Sequence, residues 1–368
     1  MTTPAHAPGS HASGPRTSDH SPAVPPVSER PAPAPATAPA TAPATELLPS
    51  VLVPNMPDAP DALRPYAELV RDTGARRLWT GQSLKVETHQ AFAHLAGAGV
   101  RVPVGTSVTL MPLRHPYEAA LQARSLALMT GRTVVAGYGV GAPAFVRSLN
   151  GRPYASPRTM AADYLRTVRA LLDGEIVDHA GDYHALRGRL IPMEHPGVEV
   201  GVGVLRPNMA RTAGGVADVA ITWMTPPGYV AETLLPALEE GGKDRDARCR
   251  VATVVHVAVE RAGRDPYVLA HTAASGHLAA DHYTDMLRRA GVPADPSDPQ
   301  AGANSLVDSG TYVFGSPDHI ADRLATYRDA GVDEVILNCA GVLFTEGQEA
   351  AFRDAREIIE AVRRRHRD

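Results

Sequence analysis

From Glu46 onward, short apolar β-branched runs alternate with longer stretches of helical period, and glycine or proline falls between them. The strand candidates are Val51 to Val53, Arg77 to Thr80, Val102 to Leu110, Thr133 to Tyr138, Val198 to Val204, Asp218 to Trp223, Val251 to Val259 and Glu334 to Asn338. Eight such units is the number that closes a (β/α)₈ barrel, although a doubly wound open sheet alternates in the same way. The helices carry their own punctuation. Leu63, Tyr66, Leu69 and Val70 share a face before Gly74, and Leu165, Val168, Leu171 and Leu172 do so before Gly174. Near the C-terminus Ser316 is placed to cap a helix with Pro317 at its first position, and Gly331 then leads into the last strand.

Between strands seven and eight the spacing predicts an extra helix from Tyr267 to Ala290. A Pro/Asp/Gly/Ala stretch follows to about Gly315, long enough for a lid or a substrate loop. Residues 1–45 are a different material. About half of them are proline or alanine and none is Leu, Ile, Phe, Tyr or Trp, so no core can form there and an extended, solvated tail is expected. The tail lacks the apolar region of a secretory signal. One domain, 46–368, is expected to follow it.

Charge and composition exclude several classes. With 36 basic and 40 acidic residues, a nucleic-acid surface is not expected. No stretch approaches the roughly 20 apolar residues of a membrane helix. Cys249 and Cys339 stand far apart without companion ligands, so no disulfide framework or metal site is indicated and a reducing, cytoplasmic setting fits. No Ser/His/Asp or HExxH pattern offers hydrolytic chemistry.

Four places could carry chemistry. Strand five presents Glu199, Gly201 and Gly203 on one face and runs into Leu205-Arg206-Pro207-Asn208, where a helix begins. Its free N–H groups, with Arg206, Asn208 and Thr212, could hold a phosphate at the C-terminal face of a barrel. Gly137, Gly139 and Gly141 around Tyr138 leave room for a planar ligand or simply make a tight turn. Thr106, Ser107 and Val108 interrupt an apolar strand as a bulge at a site would. Trp79 and Gln82, at the end of strand two, would face the same mouth, with ordinary core as the other reading for Trp79. Among the histidines, His256 lies on a strand face, whereas His115 and His179 fall in turns.

The order of these segments resembles the bacterial luciferase-like superfamily of flavin- and deazaflavin-dependent oxidoreductases. The stretches that carry the likeness include Pro112 to Pro116, Met129 to Arg132, Gly137 to Gly141, Gly151 to Tyr154, Gly174 to Gly181, Ala213 to Asp218 and Gly315 to Pro317. The resemblance implies a (β/α)₈ barrel with an insertion between strands seven and eight. It also implies that coenzyme F420, or alternatively FMN, lies at the C-terminal mouth against Trp79, Thr106 to Val108 and the Gly137 strand, with Tyr154 nearby. A nonprolyl peptide of unusual conformation is expected near Ser107 and Val108, and the phosphate loop falls on Leu205 to Thr212. Gly81 and Gln82 stand where many deazaflavin enzymes carry an acidic residue or histidine, so His256, Tyr138 and Gln82 are the candidate proton donors. The luciferase-type arginine beside the flavin phosphate is not visible in the Gly137 segment, which weakens FMN more than the deazaflavin. The expected activity is hydride transfer from reduced F420 to an activated C=C or C=N of a secondary metabolite or modified peptide. An FMN-dependent monooxygenase and a non-catalytic cofactor-binding barrel remain alternatives. A homodimer packed through barrel helices is implied.

Overall fold

A computed structural model of the chain describes residues 48–367. The expected tail, residues 1–45, lies outside them. Eight parallel strands form the barrel: β1 Ser50–Val53, β2 Leu78–Thr80, β3 Val104–Thr106, β4 Val134–Gly139, β5 Val198–Gly203, β6 Val219–Trp223, β7 Arg250–Val259 and β8 Glu334–Asn338. Each pairs with the next, β8 pairs with β1, and the circle is closed. The open-sheet alternative is thereby excluded. All eight expected strands are present, with one internal difference. The third does not run through to Leu110: the Ser107–Val108 peptide is cis, and Thr109–Leu110 pairs with β4.

Side chains alternate across each strand, so one set fills the barrel and the other meets the helices. Leu52, Trp79, Val135, Ile221, Val254 and Ile336 pack inside, and a larger apolar layer joins the outer strand faces to the surrounding helices. The expected caps are observed. Ser316 accepts a hydrogen bond from the His319 N–H at the start of the helix Pro317–Asp329, and Gly74 ends Arg64–Thr73.

The insertion between β7 and β8 differs in detail from expectation. One helix from 267 to 290 is replaced by two, Pro266–Leu278 and Asp281–Arg289, because Ala280 is extended; no glycine or proline announces the break. The stretch after Gly291 contains the helix Pro299–Asp308 and a short strand, Val313–Gly315, paired with β7. A hairpin, Val177–Ala180 with Ala185–Gly188, precedes β5 and places His179 in a strand. His115 caps the helix Pro116–Thr130. Among the described residues, no helix is long and apolar enough to cross a membrane.

The N-terminal end of the barrel is closed by a charged floor. The Glu334 carboxylate accepts hydrogen bonds from Ser50 Oγ at 2.6 Å and Trp79 Nε1 at 2.7 Å, and lies 3.3 and 3.4 Å from the guanidiniums of Arg76 and Arg77. Burial alone would push this carboxyl up, but the two arginines and the two hydrogen bonds together hold it below its ordinary value. Stabilisation from such a lowered group is complete above the ordinary glutamate range near pH 4.3. It is lost as pH falls through the folded-state value. Glu334→Ala is therefore expected to cost about 3–5 kcal/mol in chemical denaturation, by stranding buried Arg77 and Trp79, and Glu334→Gln less. A cost for Glu334→Ala below about 1 kcal/mol would show that the floor is not a stabilising network.

Candidate active site

At the opposite, C-terminal end lies a cavity of ≈ 340 Å³. Gly81, Gln82, Ser107 and Val108 form one wall; Trp223, His277 and Tyr283 face into it from β6 and the insertion; Asn55, Met56, Asn338 and Phe344 complete the rim. No Asp, Glu, Lys or Arg lines it. It has the size and mixed lining of a small-molecule site, at the face where barrels of this type place their chemistry.

The first wall is held by local hydrogen bonds. Thr106 Oγ1 donates to Gly137 O and accepts from Gly137 N, both at 2.8 Å, and Thr109 Oγ1 donates to the same carbonyl. The Gln82 N–H donates to Val108 O at 2.9 Å, while its side-chain Oε1 accepts from Leu110 N at 3.1 Å and its Nε2 donates to Ser83 O at 2.7 Å. A Cβ on Gly137 would meet Thr106 O at 2.0 Å, and one on Gly139 would meet Val108 Cγ2 at 2.5 Å. The space these glycines leave is therefore filled by the β3 segment. Gly203 also lies beside Val108.

Several sequence expectations require correction. Trp79 does not reach the mouth; its ring is wholly buried over Gly105 and its Nε1 is committed to the floor at Glu334. Tyr138 falls on the outward phase of β4, where its hydroxyl donates to Ala119 O and burial pushes its pKa up, so it cannot deliver a proton to the cavity. His256 points inward but lies behind Trp223 and Tyr312, 1% exposed, with burial pulling its pKa down to about 3. Gln82 lines the cavity, yet its amide is engaged in holding the Val108–Leu110 segment. Thr106 is stitched to β4 behind the wall, and Tyr154 packs against Tyr183 of the hairpin region. Ser107 and Val108 do face the cavity, and the Ser107 hydroxyl has no partner among the described residues.

The helix Pro207–Val216 starts at the mouth end without a side-chain cap. Arg206 is paired with Asp285 of the insertion at 3.1 Å, Arg211 with Glu240 at 2.7 Å. The Thr212 hydroxyl donates back to Asn208 O, Asn208 Oδ1 accepts from Arg211, and Leu205 O accepts from Tyr229. None of Leu205, Arg206, Asn208 or Thr212 lines the cavity.

Sequence reasoning missed Trp223, His277, Tyr283 and Asn338. Trp223 and Asn338 are the last residues of their strands, and that position at a barrel mouth was the available signal. The chain turns immediately after Trp223 through Met224, whose φ of 51° lies in the left-handed region. His277 had no signal, since a histidine on an insertion helix is unremarkable until the helix is seen to lean over the mouth.

With this geometry in place, comparison with known proteins is informative. The family model for luciferase-like monooxygenases matches residues 36–334, and the chain belongs to that family. Among curated relatives, the 4-hydroxyprotoasukamycin monooxygenase of Streptomyces nodosus subsp. asukaensis is 26% identical over 312 residues, covering 78% of this chain and 82% of that protein. The phthiodiolone/phenolphthiodiolone dimycocerosates ketoreductase of Mycobacterium tuberculosis is 25% identical over 291 residues, 66% of this chain and 70% of that one. Among solved structures, the coenzyme F420-dependent tetrahydromethanopterin reductase of Methanopyrus kandleri superimposes with a TM-score of 0.67 at 17% identity, covering 85% of this chain and 99% of its own. The oxygenating constituent of the 3,6-diketocamphane monooxygenase of Pseudomonas putida, in complex with FMN, gives 0.63 at 16% identity, covering 86% and 98%. These likenesses establish the barrel, and the family is one of oxidoreductases and monooxygenases that use F420 or FMN.

The residues present fit a flat, hydrogen-bonding cofactor. Ser107 and Trp223 line the cavity, and among the described residues Ser107 Oγ and Trp223 Nε1 are buried without a hydrogen-bond partner, a state that calls for an explanation such as a ligand. The wall that carries Ser107 depends on the Gln82 amide. Gln82→Ala is expected to lower stability by about 1–3 kcal/mol by leaving the Leu110 N–H unsatisfied, read from the urea midpoint. An unchanged midpoint would remove the clamp from this account.

Proposed function

We propose that the chain is a coenzyme F420-dependent oxidoreductase that acts on an activated C=C or C=N of a small molecule or modified peptide. The observation that carries F420 over FMN is the pairing of both arginines at the phosphate helix. With Arg206 on Asp285 and Arg211 on Glu240, that helix end keeps little more than its backbone N–H groups and dipole. This suits the singly charged phosphodiester of the deazaflavin better than the doubly charged phosphate of FMN. The likeness to F420-dependent enzymes supports the same reading.

When bound, the deazaflavin supplies a hydride, and the protein supplies position and a dry enclosure. Ser107 Oγ and Trp223 Nε1 would be the donors to the ring system, Val108 would offer it an apolar contact, and the insertion would help to shield it. No group at the cavity is a strong acid, so the protein's part is orientation, polarisation and exclusion of water rather than protonation by a carboxylic acid.

A second reading, an FMN-dependent monooxygenase, is favoured by the streptomycete relative. Parallel titration of the protein with coenzyme F420 and with FMN separates the two. The proposal predicts F420 binding at least tenfold tighter than FMN, and oxidation of the reduced complex by an electron-poor alkene or imine under nitrogen. Preferential FMN binding with substrate-dependent oxygen uptake would overturn it.

A further inference from the structure

His277 has no role in the sequence expectations, yet it lines the cavity between two aromatic rings. It is carried by the insertion helix Pro266–Leu278 and stacks on Trp223 with ring centroids 4.9 Å apart and 28° between planes. Tyr283, from the following helix, meets its edge at 5.0 Å and 89°. Two aromatic neighbours thus fix the imidazole plane while leaving its nitrogens without a hydrogen bond to any described residue. The wall opposite, Gln82 to Val108, is the one that offers the Ser107 hydroxyl.

We propose that His277 is the hydrogen-bond anchor for the oxygen of an uncharged, mainly apolar substrate, held between the Ser107–Val108 wall and the insertion. A neutral imidazole presents one donor and one acceptor, so a carbonyl or a hydroxyl oxygen satisfies it equally. Burial pulls its pKa down to about 4, with neighbouring His282 acting in the same direction, so the ring is neutral at pH 7. The other titratable groups around it, His256 behind Trp223 and His282 and Tyr283 on the next helix, are neutral there as well. The cavity therefore contains no formal charge to compensate an ionic substrate, and a carboxylate taken into it would be desolvated without a partner. Its apolar surface comes from Leu52, Met56, Val108, Ala273 and Phe344. A hydrophobic body with one polar handle is the chemistry that matches this lining.

The inference deepens the proposed function, resting on the same cavity, but its test has an independent readout. The chain has two tryptophans, and Trp79 is sealed in the floor, so emission changes report Trp223. Titrations would use cyclohex-2-enone as the neutral probe and cyclohexanecarboxylate as its anionic counterpart, on the full-length wild-type protein, on His277→Phe, which keeps an aromatic face on Trp223, and on His277→Asn, which keeps donor and acceptor. Wild type is expected to bind the enone at least tenfold more tightly than the carboxylate. Phenylalanine should lose about fivefold to tenfold in enone affinity, the worth of one neutral hydrogen bond, and asparagine should regain most of it. Affinity for coenzyme F420 or FMN should change by less than about twofold in His277→Phe. Equal binding of the carboxylate, or an unchanged enone affinity in a folded His277→Phe, would overturn the proposal. So would an equal loss of cofactor affinity, since His277 would then serve the cofactor. Enone selectivity that persists in a protein binding neither cofactor would support the anchor while refuting the redox reading.

Discussion

The barrel depends on a buried carboxylate. Glu334, at the start of β8, reaches Ser50 on β1 and Trp79 on β2, with Arg76 and Arg77 completing its neutralisation. Those three strands are where the last strand of the barrel closes on the first, so one residue joins the two ends of the barrel. The floor continues through Arg250 and Glu199, which link β7 and β5. An ion so fully buried is tolerable only because two hydrogen bonds and two guanidiniums surround it. The consequence reaches the other end. The bottom of the barrel is held by charge and its interior filled by Trp79 and branched apolar side chains, and the cavity described above lies at the mouth.

There the construction is reversed. The polar groups lining the cavity are uncharged, and among the described residues Ser107 Oγ and Trp223 Nε1 have no hydrogen-bond partner. The Ser107–Val108 wall is positioned by Thr106 on the Gly137 peptide and by Gln82 on Leu110, and the opposite wall by aromatic stacking of Trp223, His277 and Tyr283. The protein thus separates two tasks: charge organises the closed end, and neutral dipoles with aromatic faces organise the end that carries the cavity. Arg206 and Asp285 tie the insertion to the start of the helix Pro207–Val216.

Much of the fold was legible in the sequence, because buried parallel strands read as β-branched runs and helix ends were marked by Ser, Pro and Gly. The site was less legible. Ser107 and Val108 could be located because polar residues interrupt an apolar strand. Trp79 and Tyr138 misled for one reason: a strand side chain's face is known only once its register is known, and its reach along the barrel axis depends on its partner. Trp79 turned to Glu334, and Tyr138 turned outward to Ala119. Missing altogether was His277, whose place is set by the break at Ala280 and by packing of the insertion over the mouth, neither of which leaves a local signature. The hairpin after residue 176 escaped notice because its strands are half exposed and short.

The central claim is that the mouth cavity holds a deazaflavin against the Ser107–Val108 wall, with the His277 side of the cavity left to the substrate. A crystal structure of the protein with coenzyme F420 tests it most directly. The account predicts the tricyclic ring against Val108, within hydrogen-bond distance of Ser107 Oγ, with its other face open toward His277 and its phosphate near Asn208. A ring bound elsewhere on the barrel, or a cofactor density that the cavity excludes, would contradict it.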